Sequence, residues 1–209
     1  METKKIDLFK LIDEDERRPG SWVMAKGENL NAYLEPLIEK AGDKFGSKRK
    51  FCKYLMDKFN LSQPTSQRFV WLMKDWHPLF LIREATNLNN TSYFEIQEHI
   101  EFLKMNWPPL KTFKAVKELN EDLCKIIGAH AADGTLARNF VRITDGYESN
   151  IVALKKWIKN VFGVSYPIKK VEGSNEWKIE FHSGIIAGYL NRVFDFPIGS
   201  KQYTVLSAH

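Results

Sequence analysis

The run Trp107-Pro108-Pro109-Leu110 interrupts the chain near its middle, and no helix passes through it. A proline lacks the amide proton that a helix needs and pushes the residue before it out of helical backbone. The patterns on either side differ. Before the break, apolar residues recur with helical spacing. After it, helical runs alternate with pairs of short strand-like runs. This reading divides the 209 residues into an N-terminal arm (1–28), a helical domain (29–105), a linker (106–117) and a second domain (118–209).

In the front half, Leu30, Tyr33, Leu34, Leu37 and Ile38 share one helical face, and Gly42 is expected to close that helix. Ser47 is placed to cap a second helix carrying Phe51, Tyr54, Leu55 and Phe59. Ser62 and Pro64 begin a third. HPLFLIREATNL reads as a fourth helix stopped by Asn89 and Asn90, and TSYFEIQEHIEFLKM as a fifth. The front domain is therefore expected to be all-helical.

In the back half, LNEDLCKIIGAHAADG reads as a helix and TLARNFVRIT as two strands around a polar turn. Ile151, Leu154, Trp157, Ile158 and Val161 form the apolar face of a second helix that Gly163 ends. YPIKKVEGSNEWKIEF is a hairpin pattern with GSN at its turn, and SGIIAGYLNRVF a last helix. The order helix, strand, strand, helix, strand, strand, helix predicts an α+β domain with a four-stranded antiparallel sheet.

With 44% hydrophobic and 13% aromatic residues, the chain has enough apolar mass for packed cores. Cys52 and Cys124 lie far apart, without zinc-ligand spacing or a disulfide framework, so a reducing compartment is expected. The first residues mix charges with apolar groups and hold no long apolar run. The expected location is intracellular, cytoplasmic and nucleoid-associated. A net charge of +5 suits a polyanionic partner without requiring one. No phosphate-cradling glycine loop is present, and no Ser/His/Asp triad can be read from sequence order.

Residues 126–134, IIGAHAADG, resemble the LAGLIDADG motif of homing endonucleases, with Ala131 where the motif has its earlier acid. The element order that follows, and a Gly199-Ser200-Lys201 segment after the last helix, are similar to the family's repeat. The resemblance covers roughly residues 118–206. It implies a site-specific double-stranded DNA endonuclease that hydrolyses phosphodiesters with Mg²⁺ or another divalent cation. It also implies that Gly128, Ala129 and Gly134 form the seam where two motif helices meet. Asp133, with Ala132 beside it, would hold the metal, and Lys201 would act at the reacting phosphate. Small residues let two helix backbones approach closely. An acid at a helix C-terminus, where the dipole is already negative, favours a nearby cation. Since the family's site uses two motif helices and one motif is read here, the chain is expected to form a homodimer or to belong with a second repeat.

The strands would contact duplex DNA, with Arg138, Asn139, Arg142, Thr144, Lys169, Lys170 and Lys178, and also Asn175 and Glu180, on strands or turns. A period of two allows about half of them to face one way. In the front domain, the second and third helices resemble a helix-turn-helix. Gln63, Thr65, Ser66, Gln67 and Arg68 at the start of the third are types that contact base edges and phosphates.

Each feature also has a plainer reading. Asp133 would be a solvated helix-terminal acid, Lys201 a surface lysine, and His130 a packed histidine. Trp71, Trp76, Trp157 and Trp177 would be core residues. At the level of function, the alternatives are a regulator that keeps the scaffold without cleavage, and a protein-interaction module whose binding would not respond to salt.

Overall fold

The computed structural model describes residues 4–13, 22–106 and 111–199. The chain divides into two compact units, one of residues 7–117 and one of residues 118–209 with residues 1–6. The architecture is α+β with two four-stranded antiparallel sheets. Among the described residues no helix is long and apolar enough to cross a membrane.

The front unit is not all-helical. A 3-10 turn at Leu8–Leu11 precedes β1 (Val23–Lys26), α1 (Leu30–Lys44), α2 (Lys48–Phe59), α3 (Gln63–Val70), β2 (His77–Pro78), α4 (Leu79–Leu88), α5 (Tyr93–Glu98), β3 (Phe102–Met105) and β4 (Phe113–Lys114). The strands pair in the order β2-β1-β3-β4. The expected fifth helix, TSYFEIQEHIEFLKM, runs to Met105. In the structure α5 stops at Glu98, and β3 pairs with β1, Leu103 opposite Ala25. Both residues are fully buried, so long-range pairing outweighs local periodicity. For the same reason residues 1–28 are not simply an arm: Leu8, Phe9 and Leu11 are core residues, and β1 is a central strand. The expected linker contains β4.

The local signals in α1 to α4 fare unevenly. Ser47 Oγ accepts from the Lys50 amide at 3.2 Å, closing the start of α2. Ser62 occupies the cap of α3, but its hydroxyl meets Thr65 Oγ1 at 3.0 Å instead of a backbone amide. Gly42 does not end α1, which continues to Lys44 because Gly42 is buried against the start of α2.

His77 on β2 is 1% exposed, with Nε2 2.6 Å from Asn31 Oδ1 and the Phe69 ring edge-on at 5.6 Å. Burial drives its pKa down to about 4, and Asp75 pulls only weakly the other way. The unfolded chain therefore takes up a proton near pH 6.5 that the folded chain refuses until about pH 4. Stability complete above pH 6.5 is expected to fall as the pH drops and to level off below about 4, a total of about 3 kcal/mol. Urea titrations of the wild type and His77→Gln between pH 7.5 and 4.5 check this. The variant should lose less stability over that range, and parallel curves would contradict it.

The second unit runs α6 (Glu121–Asp133), β5 (Gly134–Ala137), β6 (Phe140–Asp145), α7 (Glu148–Phe162), β7 (Ile168–Lys170), β8 (Trp177–Phe181) and α8 (Gly184–Gly188), which passes into a π-helical turn at Tyr189–Val193. Sheet order is β5-β6-β8-β7, antiparallel throughout. The strands alternate strictly. Leu136, Val141, Ile143, Ile179 and Phe181 are buried, and they pair with one another across the sheet. Against them pack Leu123 and Ile126 of α6, Ile151, Leu154 and Ile158 of α7, and Ile185 and Ile186 of α8. Each such side chain gains about 1.5–3 kcal/mol from burial, so a one-residue slip of a strand would cost several of these at once.

Candidate nucleic-acid interface

Helix α6 begins at Asn120, whose Oδ1 accepts from the Leu123 amide at 2.9 Å, with Glu121 and Asp122 at the positive end of the helix dipole. Its inward face carries Leu123, Ile126 and His130. The opposite face, Cys124, Gly128, Ala131 and Ala132, is exposed. These positions recur every third or fourth residue, so they form one smooth ridge down the helix. A Cβ added at Gly128 would meet nothing within 4 Å.

The helix ends abruptly because Gly134 turns straight into strand conformation (φ −89°, ψ 149°), its amide donating to the His130 carbonyl. Glycine is required there, since a Cβ would lie 1.9 Å from His130 Nδ1. His130 itself is fully buried, edge-on to Phe196 at 4.9 Å. Gly134 is therefore part of the unit's own core and not of the ridge, a correction to its expected place in a helix seam. Ala129 is half-buried at the ridge's flank, while Gly128 lies on it. Asp133, the last helical residue, is exposed, and its carboxylate makes no hydrogen bond or ion pair among the described residues. Ala132 offers only backbone oxygen.

The sheet face opposite α6, α7 and α8 carries three rows of outward side chains. Ala137, Phe140 and His182 stand in one row, with the Phe140 and His182 rings 5.0 Å apart. Thr135, Arg142 and Glu180 form the middle row, and Thr144, Lys178 and Lys169 the third. Glu180 is the hub. Its Oε1 accepts from Arg142 Nε at 2.9 Å and from Lys178 Nζ at 3.2 Å, and Lys169 Nζ lies 3.7 Å from Oε2. Burial pushes the Glu180 carboxyl upward, but the bonds from Lys178 and Arg142 outweigh it and hold the group below the usual range. Three cations around one carboxylate leave the face with surplus positive charge, and the Arg142 and Lys169 side chains keep 43% and 58% of their surface in solvent. Such a face attracts phosphate, and the carboxylate fixes where the cations stand.

Of the sequence candidates, Arg142, Thr144, Lys169 and Lys178 share this face. Lys170 does not: it pairs with Trp177, whose parity is that of the buried row. Arg138 and Asn139 form the β5–β6 turn at the end of the sheet. Asn175 lies in the β7–β8 turn. Thr135 and Phe140 also stand on this face, at the parity that the alternation in TLARNFVRIT carries. Lys201 falls outside the described residues. Gly199, two positions before it, donates its amide to the Leu136 carbonyl at 2.9 Å, beside the strand that follows Asp133.

In the front unit, α2 and α3 are joined by a three-residue turn, Asn60–Ser62, in which Asn60 takes left-handed backbone (φ 50°) and Leu61 is buried. On α3, Gln63 and Arg68 are exposed and Thr65 and Gln67 half-buried. Ser66 is fully buried and cannot reach a partner. The tryptophans expected in cores are not there. Trp71 is 45% exposed, and Trp76, Trp157 and Trp177 are half-buried.

Compared with protein-family models and with curated proteins, the chain matches none.

Proposed function

We propose that residues 118–209 form a LAGLIDADG-like half-domain that pairs with a second copy through the α6 ridge and cleaves duplex DNA lying on the paired sheets. One observation carries this reading: the smooth, exposed ridge of Cys124, Gly128 and Ala131–Ala132 ends in a carboxylate, Asp133, that has no partner among the described residues, at the start of a sheet whose open face is cationic. The succession α6-β5-β6-α7-β7-β8-α8 and the antiparallel order of the strands support it.

In this account α6 meets its copy along Gly128, where the absence of a side chain lets the backbones approach. That brings two Asp133 carboxylates together. Their mutual repulsion is relieved by divalent cations, which favour carboxylate oxygen, and the exposed group in each chain fits as half of a ligand set. A cation such as Mg²⁺, when bound, supplies charge stabilisation at the phosphate and a more acidic water. Arg142, Lys169 and Lys178 hold the DNA backbone, with Glu180 fixing their geometry, and Thr135 and Thr144 stand between them towards base edges. The α2–α3 hairpin extends the footprint through Gln63 and Gln67.

Arg142→Ala is expected to weaken duplex binding across all sequences. It should also make the slope of log affinity against log salt shallower by about 1, the signature of one lost phosphate contact. A slope unchanged from the wild type would remove the sheet face from the proposal. Selective duplex binding without cutting would favour the non-cleaving regulator.

A further inference from the structure

A cleft of about 930 Å³ opens in the front unit between the α2–α3 turn and strands β1 and β2. Its size is that of a small-molecule or single-residue pocket. Four aromatic side chains line it: Trp22, Phe59, Phe69 and Trp76. Trp22 is braced edge-on by Phe80 at 5.2 Å, and Trp76 carries the Lys104 ammonium 4.1 Å from its ring centroid. The lining residues include Lys58, Arg68 and Lys74 and no carboxylate. The charge of Lys58 is spent on Glu84, which it meets at 2.7 and 2.8 Å. Burial first, and then the nearby charges of Lys26 and Lys74, lower the Lys104 pKa; Lys26 is paired with Asp75 at 3.2 Å, so the lining cations without an ion-pair partner among the described residues are Arg68 and Lys74. Asn60 and Thr65, from the turn and from α3, add hydrogen-bonding groups to the same wall.

Aromatic surfaces beside unneutralised cations match one ligand chemistry closely: a flat, hydrogen-bonding ring attached to a phosphate. We propose that this cleft binds a single unstacked nucleotide, its base against Trp22 and Trp76 and its phosphate at Arg68 and Lys74. The nucleotide comes from a single strand or from a free mononucleotide. The site lies in the front unit and does not depend on the sheet-face reading above. It changes the expected role of Thr65 and Arg68, which line a pocket for one residue and do not only present the front of α3 to a groove.

The test is calorimetric titration of the full chain with three probes: thymidine 5′-monophosphate, the single-stranded trimer dTTT, and an abasic trimer with the same phosphates. The trimer dTTT is expected to bind at least about tenfold more tightly than the abasic trimer, since stacking and not charge alone carries the affinity. Arg68→Ala, at an exposed position, and Trp76→Leu should each weaken dTTT by about tenfold. Retained near-UV circular dichroism shows that each variant is folded. Binding of the monophosphate as tight as the trimer supports the site and names a free nucleotide as its ligand; tighter trimer binding supports it and names a strand. Equal binding of dTTT and the abasic trimer overturns the proposal. So does loss of dTTT binding in Arg142→Ala with none in Arg68→Ala, which would move the signal to the sheet face.

Discussion

Asp133→Asn is expected to abolish Mg²⁺-dependent cleavage of duplex DNA, by about three orders of magnitude or more, while leaving duplex binding intact or slightly stronger. The side chain is exposed and makes no hydrogen bond or ion pair among the described residues, so its removal costs the fold little. In the proposed pair, however, it would be the group through which each copy holds a cation, and a cation at a transferring phosphate is worth several kcal/mol in the transition state, where each 1.36 kcal/mol is tenfold in rate. Asparagine keeps the shape and one oxygen but lacks the charge. It also removes a negative charge close to DNA, which accounts for unchanged or tighter binding. Single-turnover cleavage and fluorescence anisotropy on the same duplex separate the two effects. Parallel loss of both would mean that Asp133 maintains the helix end and performs no chemistry.

Gly128→Gln should convert a dimer into a folded monomer. The Cβ enters open space, and glutamine is a better helix former than glycine by up to ~1 kcal/mol, so the melting temperature of the monomeric unit is expected to hold or rise. The same side chain stands in the middle of the α6 ridge, where a second helix cannot close over it. Sedimentation should show the wild type at twice the 24.3 kDa chain mass and the variant at the chain mass, with cutting lost. Cys124, on the same ridge four residues earlier, gives an independent check. It is exposed while Cys52 is buried, so a short bismaleimide should link two wild-type chains and fail with Gly128→Gln. A wild type that is monomeric at all concentrations would contradict the homodimer and leave a separate second repeat as the partner.

The second unit was more legible in the sequence than the first, for physical reasons. Its strands alternate because one face is buried and one is not, so Val141, Ile143, Ile179 and Phe181 announce themselves. Gly163 ends α7 in left-handed backbone at φ 73°, a local event that a local reading captures. The front unit's sheet depends on pairs far apart in sequence, Val23 with Met105 and Met24 with Pro78, between strands of only two to four residues. Such short strands carry too little periodicity to stand out from neighbouring helices. The site divides in the same way. Asp133 at a helix end is visible in the motif, and the cationic strand residues are visible as types. The Glu180 hub is not, because it needs the register that sets Arg142 of β6 opposite Glu180, while Lys178 stands two positions earlier on the same strand. Gly134 looked like a seam residue because glycine suits both close helix approach and close ring approach. Only the His130 ring distinguishes them.

That this chain reads and cuts duplex DNA as a symmetric pair is a proposal open to one decisive test. The most direct measurement is to incubate the full chain with a randomised duplex library, with Mg²⁺ and without it, and to sequence the bound and the cut molecules. The expected result is enrichment of one site with two-fold symmetry, cut in both strands at a fixed stagger only when Mg²⁺ is present. A library recovered uncut and unenriched, with binding that does not weaken as salt rises, would contradict it.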